Sequence, residues 1–270
     1  MPNPQIATDW ITYDMYRPAG HSAVGDMRVL PGLFSPQLNN ARDVLVYLPP
    51  GHAEPGRRFP VLYMQDGQNL FDSGTAFGGN EWQVDETMQA LSAEGLSAIV
   101  VGLPHAGEAR VPEYSPFPAF VPARGEDYLA VVVETVKPLI DAAFQTRPDR
   151  EAPGILGSSM GGLISLYAFF RHPQVFGMAG IMSPALWYSR GRIDDYVRRS
   201  PFVPGRLYLD NGSRENSAAR MAHLLEEMGY QPGRDLLYVV EEGAQHNEAA
   251  WARRLPDALR FLLGGLHGSA

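Results

Sequence analysis

The amino-acid sequence predicts an α/β protein in which a mostly parallel central sheet carries helices on both faces. The first observation is that short β-branched runs alternate with segments of helical periodicity through the second half of the chain. The second is that 45% of the 270 residues are hydrophobic, enough to bury a substantial core. No Ser/Gly-rich or charged linker divides the sequence, so we expect one domain over residues 1–270.

The predicted strands are short apolar runs, most of which end at Gly, Asp, Ser or Pro. They cover residues 43–48, 60–64, 97–101, 154–157, 177–182, 206–210 and 235–240. The early strands precede any helix and should form an antiparallel entry to the sheet. The predicted helices cover residues 82–93, 127–144, 160–171, 217–228 and 248–263. Proline lacks a backbone N–H, so Pro138 and Pro256 should kink or split their helices.

Composition excludes several classes of function. The net charge is −8 and the basic residues are scattered, so we expect no nucleic-acid partner. The absence of cysteine excludes a disulfide framework, a thiolate nucleophile and a Cys-ligated zinc site. No long apolar run is present, and the segment from Met1 to Arg17 lacks the apolar core of a signal peptide. We therefore expect no membrane partner and a cytoplasmic location, while the oligomeric state stays open.

A serine nucleophile is predicted by the segment Gly157-Ser158-Ser159-Met160-Gly161-Gly162, which matches the G-x-S-x-G pattern at Ser159. The segment lies between a predicted strand and a predicted helix, the context in which this pattern forms a sharp turn that exposes the serine hydroxyl. With 28 glycines, the pattern also arises by chance, and the flanking strand and helix make it specific. The sequence therefore predicts the α/β-hydrolase fold with Ser159 as nucleophile.

A general base must take the proton of the serine hydroxyl, and histidine serves this role in the same fold after the last strand. Three histidines follow Ser159 at a distance: His223, His246 and His267. His223 lies within a predicted helix and His267 in the C-terminal tail, whereas His246 follows the last predicted strand. We expect His246 to be the base. No His-x-x-x-His pair is present, so we expect no metal. We also expect no cofactor, because acyl transfer through a serine requires none.

The acid that orients the histidine should follow the strand 206–210. Asp210 at the strand end and Glu215 in the following loop both qualify, and spacing leaves the two open. One oxyanion-hole donor should be the backbone amide of Met160, the residue after the nucleophile. The second should come from the turn after the strand 60–64, where Gly67 and Gln68 are both candidates.

Aromatic side chains near the predicted mouth of the site are candidates for a substrate pocket, although each could equally belong to the core. They are Phe77, Trp82, Tyr114, Trp187 and Tyr188.

Five motifs in order resemble the Putative esterase family, which includes esterase D, enterobactin-type esterases, feruloyl esterase domains and mycolyltransferases. They begin at Val46, Tyr63, Glu113, Gly157 and Gly243 and read VYLPP, YMQDGQNLFD, EYSP, GSSMGG and GAQHNEAAW. The similarity runs from about residue 43 to residue 263.

The resemblance implies Ser159 as nucleophile, His246 as base, and the amides of Met160 and Gln68 as the oxyanion hole. The family places a carboxylate at the end of a Gly-Thr/Ser-x-Asp/Glu loop, which matches Glu215 and leaves Asp210 as the alternative acid. The implied activity is hydrolysis of a small-molecule carboxylic ester through an acyl-enzyme. The alternatives are an acyltransferase that uses the same residues, and a catalytically silent binding protein.

Overall fold

The computed structural model describes residues 9–267 and contains one nine-stranded sheet in the order β1-β2-β3-β5-β4-β6-β7-β8-β9. The strands β1 to β3 and the β3–β5 pair are antiparallel, and every pair from β5 to β9 is parallel. In chain order the strands are Ile11–Thr12, Asp26–Ser35, Asn40–Leu48, Val61–Gln65, Ile99–Leu103, Gly154–Ser158, Met178–Met182, Arg206–Gly212 and Leu236–Glu241. The predicted α/β-hydrolase fold and its antiparallel entry are confirmed.

The α-helices of the described residues are numbered α1 to α9. They are Tyr13–Tyr16, Val84–Ala93, Arg110–Glu113, Gly125–Ala130, Lys137–Ala143, Met160–Arg171, Arg192–Arg199, Ala219–Glu227 and Glu248–Gly264. A π-helical stretch, Val131–Val136, joins α4 to α5 just before Pro138, so the predicted helix 127–144 is interrupted as expected. Pro256, in contrast, lies inside an uninterrupted α9. None of the helices in residues 9–267 is both long and apolar enough to cross a membrane.

Two apolar cores lie on opposite faces of the sheet, because successive side chains of a buried strand point to opposite sides. In β4, Val61 and Tyr63 pack into one core and Leu62 and Met64 into the other. Helices α4 to α8 cover the first face, and α2 and α9 cover the second. Because the strands β4 to β9 run parallel, their carboxyl ends lie at the same edge of the sheet, where the loops that follow them can form a site.

Candidate active site

Ser159 occupies a strained turn between β6 and α6. Its backbone has φ 56° and ψ −118°, a conformation that a non-glycine residue rarely adopts. The Ser159 amide donates to the Met182 carbonyl at 3.0 Å, and its carbonyl accepts from the Ala185 amide at 2.9 Å. These bonds to the end of β7 hold the turn in place, and the half-buried serine lines a cavity of about 350 Å³.

The glycines around Ser159 are required by close packing. A Cβ at Gly157 would clash with the side chain of Gln65 on β4, and one at Gly162 would lie 2.9 Å from the Met182 carbonyl oxygen. Beta carbons do not approach other atoms so closely, so larger residues would displace the turn. The G-x-S-x-G pattern thus reflects how tightly α6 packs onto the sheet.

His246 follows β9 and lies at the same cavity as Ser159. Its Nδ1 lies 2.5 Å from the Glu215 Oε2, and its ring packs edge-on against Trp251 with centroids 5.0 Å apart. Asn247, the next residue, caps α9 by accepting a hydrogen bond from the Ala250 amide. The imidazole is therefore held by a carboxylate at Nδ1 and by a T-shaped contact with the Trp251 ring.

Glu215 is the carboxylate that the structure brings to His246. Its Oε1 accepts hydrogen bonds from the Ser183 hydroxyl at 2.7 Å and the Gly212 amide at 2.5 Å. Burial raises the pKa of Glu215, but the hydrogen bonds from His246, Gly212 and Ser183 together outweigh it and hold the pKa below its ordinary value. The side chain is thus ionised at neutral pH and suited to orient a histidine.

Asp210, the alternative acid, lies in the core and pairs with a different residue. Its Oδ2 accepts from the Arg254 Nε at 2.9 Å and its Oδ1 from the Ser183 amide at 2.9 Å. Burial raises the pKa of Asp210 to about 6, although Arg254 opposes that shift. The end of β8 therefore supplies two carboxylates, and only Glu215 contacts His246.

Ser183, Arg254 and Trp251 surround these carboxylates and were not singled out from the sequence. The Ser183 hydroxyl donates to Glu215 and accepts from the Trp251 indole at 2.9 Å and the Arg254 Nη2 at 2.7 Å. Two features of the sequence could have identified Ser183 and Arg254. Ser183 directly follows the buried strand β7, and Arg254 is a charged residue on the apolar stripe of α9, where it must have a buried partner.

The two predicted oxyanion-hole donors lie on separate elements that flank the cavity. Met160 begins α6, where backbone N–H groups have no intrahelical acceptor. Gln68 lies in a 3-10 turn after β4 and lines the cavity, and among the described residues none accepts a hydrogen bond from its amide. The Gln68 carbonyl accepts from the Thr75 hydroxyl at 2.7 Å, and its side-chain Oε1 accepts from the His105 amide at 3.2 Å. Both contacts fix the turn.

Most of the residues that line the cavity are polar or charged. Asp66 and Arg110 form a bidentate pair in which Nε and Nη2 each donate across 2.7 Å. His105 Nδ1 accepts from the Gly107 amide at 2.9 Å, which leaves Nε2 as the protonated nitrogen of the neutral ring. Burial lowers the pKa of His105, favouring that neutral form. The lining residues are Asp66, Gln68, Asn69, Phe77, His105, Arg110, Ser158, Ser159, His246, Glu248 and Trp251.

The aromatic residues predicted to line a substrate pocket lie elsewhere, except Phe77. Trp82 is buried and packs against Trp251, beneath the lining. Tyr114 is buried too, and its hydroxyl accepts from the Asp66 amide at 3.2 Å. Trp187 is 59% exposed and borders a separate depression beside Phe120. The sequence left pocket and core open for these residues, and the structure places Trp82 and Tyr114 in the core, away from the lining of the Ser159 cavity.

The other candidate histidines lie apart from this cavity. His223 is exposed on α8, where it lies 3.4 Å from Glu227. The side chain of His267, like residues 1–8 and 268–270, lies outside the described part of the chain.

Comparisons with known proteins identify relatives of this chain. A Bacillus subtilis (strain 168) protein, YbbA, is 26% identical over 87% of this chain and 98% of its own length. The endo-1,4-beta-xylanase/feruloyl esterase of Xylanibacter ruminicola is 24% identical over 78% of the chain, which spans 28% of that protein's length.

The solved ferric enterobactin esterase of Salmonella typhimurium superimposes with a TM-score of 0.74 at 19% identity. The match covers 90% of this chain and 60% of that one, and it supports the fold. The family model described as "Putative esterase" matches residues 35–262. That match covers most of the sequence, and the chain therefore belongs to the Putative esterase family.

Proposed function

We propose that the chain hydrolyses carboxylic esters by a serine mechanism in which Ser159 is the nucleophile, His246 the base and Glu215 the orienting acid. Family membership supports ester hydrolysis itself. One observation carries the mechanism: His246 and Ser159 line the same cavity, and His246 Nδ1 is committed to Glu215 at 2.5 Å. A histidine held in this way presents Nε2 as its proton acceptor.

The proposed reaction has two steps. Ser159 Oγ attacks the ester carbonyl as His246 Nε2 takes its proton, and that proton then passes to the departing alcohol. Water next attacks the acyl-enzyme while His246 acts again as base, and the acid is released with Ser159 restored. The low pKa of Glu215 keeps it negative, which stabilises the imidazolium formed in each step. No cofactor is needed for this chemistry.

We assign the oxyanion hole to the amides of Met160 and Gln68. Support comes from Met160 starting α6 directly after the nucleophile, and from the fixed backbone of Gln68 on the opposite loop. Such donors stabilise the negative charge of the tetrahedral intermediate, and each contributes about 3–4 kcal/mol.

The substrate is proposed to be a small ester that carries polar groups beside the scissile bond. The neutral His105 and the Asp66–Arg110 pair offer hydrogen-bonding groups at the cavity, and Phe77 adds one exposed ring. Feruloyl esters and catecholate esters are the first candidates, because the names of the relatives specify a feruloyl esterase and an enterobactin esterase.

Labelling with a fluorophosphonate probe tests the nucleophile. The unmodified protein should be labelled, Ser159→Ala should not, and Ser158→Ala should retain the label because that hydroxyl lies one residue earlier in β6. Equal labelling of the Ser159→Ala variant would overturn the assignment, and no labelling of the unmodified protein would favour a binding module.

Partitioning of the acyl-enzyme between water and an added alcohol distinguishes a hydrolase from an acyltransferase. A panel of feruloyl, catecholate and p-nitrophenyl esters then ranks substrates by kcat/KM.

A further inference from the structure

Three carboxylates form a cluster at the start of α2, apart from the cavity that contains Ser159. Glu81, Asp85 and Glu86 each place one oxygen so that all three lie within 4.8 Å of one another. Asp85 and Glu86 belong to the first turn of α2, and Glu81 precedes the helix. Three negative charges at this distance repel one another unless something neutralises them.

Each of the three carboxylates has one oxygen that is shielded from solvent and has no hydrogen-bond partner: Glu81 Oε2, Asp85 Oδ1 and Glu86 Oε2. Asp85 is fully buried, with 0% of its surface exposed. No Lys, Arg or His in residues 9–267 forms an ion pair with any of the three. Burying unpaired carboxylate oxygens is unfavourable, and burial together with the neighbouring Glu86 raises the pKa of Asp85 to about 8. The negative charge of the cluster therefore needs compensation, which a bound cation or a proton can supply.

The opposite oxygens of two of these carboxylates are anchored by the N-terminal segment. Asp85 Oδ2 accepts from the Val24 amide at 2.6 Å, and Glu81 Oε1 accepts from the Ser22 hydroxyl at 2.7 Å. Each side chain is therefore fixed through one oxygen and offers the other to the cluster. The positions of these two free oxygens are therefore set before any ligand binds.

We propose that Glu81, Asp85 and Glu86 bind a divalent cation of the oxygen-preferring class, with Ca²⁺ as the best fit. Ca²⁺ accepts about six to eight oxygen ligands in flexible geometry, whereas Mg²⁺ requires a near-ideal octahedron, so three carboxylates completed by water suit Ca²⁺ better. Glu81 and Glu86 are half-exposed, so water can reach the ion and complete its coordination. Sequence reasoning based on histidine pairs missed this site, because its donors are carboxylates at positions i, i+4 and i+5.

Binding here would join the N-terminal segment to α2 and to the turn that contains Gln68. Trp82, next to Glu81, donates its amide to the Asn69 carbonyl at 2.8 Å. The cation would thus stabilise the fold close to the cavity, whether or not the serine mechanism is correct.

Calcium titration of the chelator-treated full chain tests the proposal. Ca²⁺ at a hundredfold excess over its Kd should raise the Tm by roughly 5 °C, since a ligand that binds only the folded state stabilises it. Tb³⁺, which replaces Ca²⁺ at carboxylate sites, should show luminescence sensitised by Trp82, and added Ca²⁺ should quench that signal.

Substitutions in the cluster test whether the three carboxylates are the cation ligands. Glu81→Gln and Glu86→Gln should fold, because each removes repulsion, and both should lose the Tm response and the Tb³⁺ signal. Glu226→Gln, on the exposed face of α8, is the matched control and should respond like the unmodified protein. An unmodified protein that ignores Ca²⁺, or an undiminished response in Glu81→Gln and Glu86→Gln, would overturn the proposal. A Tm that rises on acidification alone would show that protons neutralise the cluster instead.

Discussion

Arg254 on α9 donates through its Nε to the buried carboxylate of Asp210, 2.9 Å away, and through its Nη2 to the Ser183 hydroxyl. Both side chains of the ion pair are almost completely buried, at 4% and 0% exposure. Arg254 also lies 3.7 Å from the Glu215 Oε1 and donates through its Nη1 to the partly exposed Glu241 at 3.0 Å, but Asp210 is its most deeply buried partner. Asp210 near the end of β8 and Glu215 in the following loop should therefore respond differently to substitution.

Glu215→Gln should lower kcat by about 10⁴-fold, because loss of the orienting acid has that effect in serine hydrolases. Asp210→Asn should retain most of its activity but lose about 1–3 kcal/mol of unfolding free energy, since it removes the most deeply buried charge partner of Arg254 and leaves Glu215 and Glu241 as its remaining carboxylates. Ester hydrolysis and urea unfolding of both variants measure the difference. The assignment of Glu215 fails if Asp210→Asn is the inactive variant and Glu215→Gln the active one.

Much of the sheet was predictable from the sequence, because buried parallel strands are short apolar runs with clear ends. All seven predicted strands are present, whereas β1 and β2 were missed. The strand β2 contains Pro31 and Gly32 at a bulge, and both residues argue against a strand in local terms. Helix α7 was missed because its eight residues are mostly charged and bury only Ile193 and Val197.

The candidate site was predictable where the residue type and its place after a strand agreed, as for Ser159 and His246. The choice between Asp210 and Glu215 could not be made from spacing, because it depends on the position of Arg254 some forty residues later in the chain. The placement of the aromatic residues stayed open for a related reason, since Trp82 and Tyr114 have the same local pattern whether they face a core or a pocket.

Gly67→Ala should reduce kcat by about 10²-fold or more with a smaller effect on KM. A Cβ at Gly67 would lie 2.6 Å from the Gly102 carbonyl carbon, so the turn must shift and move the Gln68 amide away from the oxyanion. Steady-state kinetics with a p-nitrophenyl ester measures this effect. Gly264→Ala, in α9 with no atom near its Cβ, is the control and should leave kcat unchanged. Wild-type kcat in Gly67→Ala would argue against the Gln68 amide as a donor.

Ser183→Ala should lower both stability and turnover. The substitution leaves the buried Trp251 indole without its acceptor and removes one of the hydrogen bonds to Glu215, so about 1–3 kcal/mol of unfolding free energy should be lost. We expect kcat to fall by roughly tenfold, because His246 is then less well oriented. Ser189→Ala is the control, since that hydroxyl donates only to the Phe117 carbonyl. A kcat loss of equal size in both variants would contradict a specific effect at Glu215.

The Glu126–Arg171 pair joins α4 to the end of α6 and should make stability depend on pH. Burial raises the pKa of Glu126, but hydrogen bonds from Arg171 and then Tyr167 outweigh it, so the folded-state pKa lies below the ordinary value. The stabilisation is therefore fully present above the ordinary pKa and is lost as the pH falls through the folded-state pKa. Because both charges are about half exposed, it should amount to less than about 1 kcal/mol and weaken in salt. Urea unfolding should show Glu126→Gln to be less stable than the unmodified protein at neutral pH, and the difference should shrink as the pH falls below the ordinary pKa of glutamate towards the lowered folded-state pKa. Glu134→Gln, at an exposed position, should show no such convergence, and a difference that persists in acid would refute the ion pair as its cause.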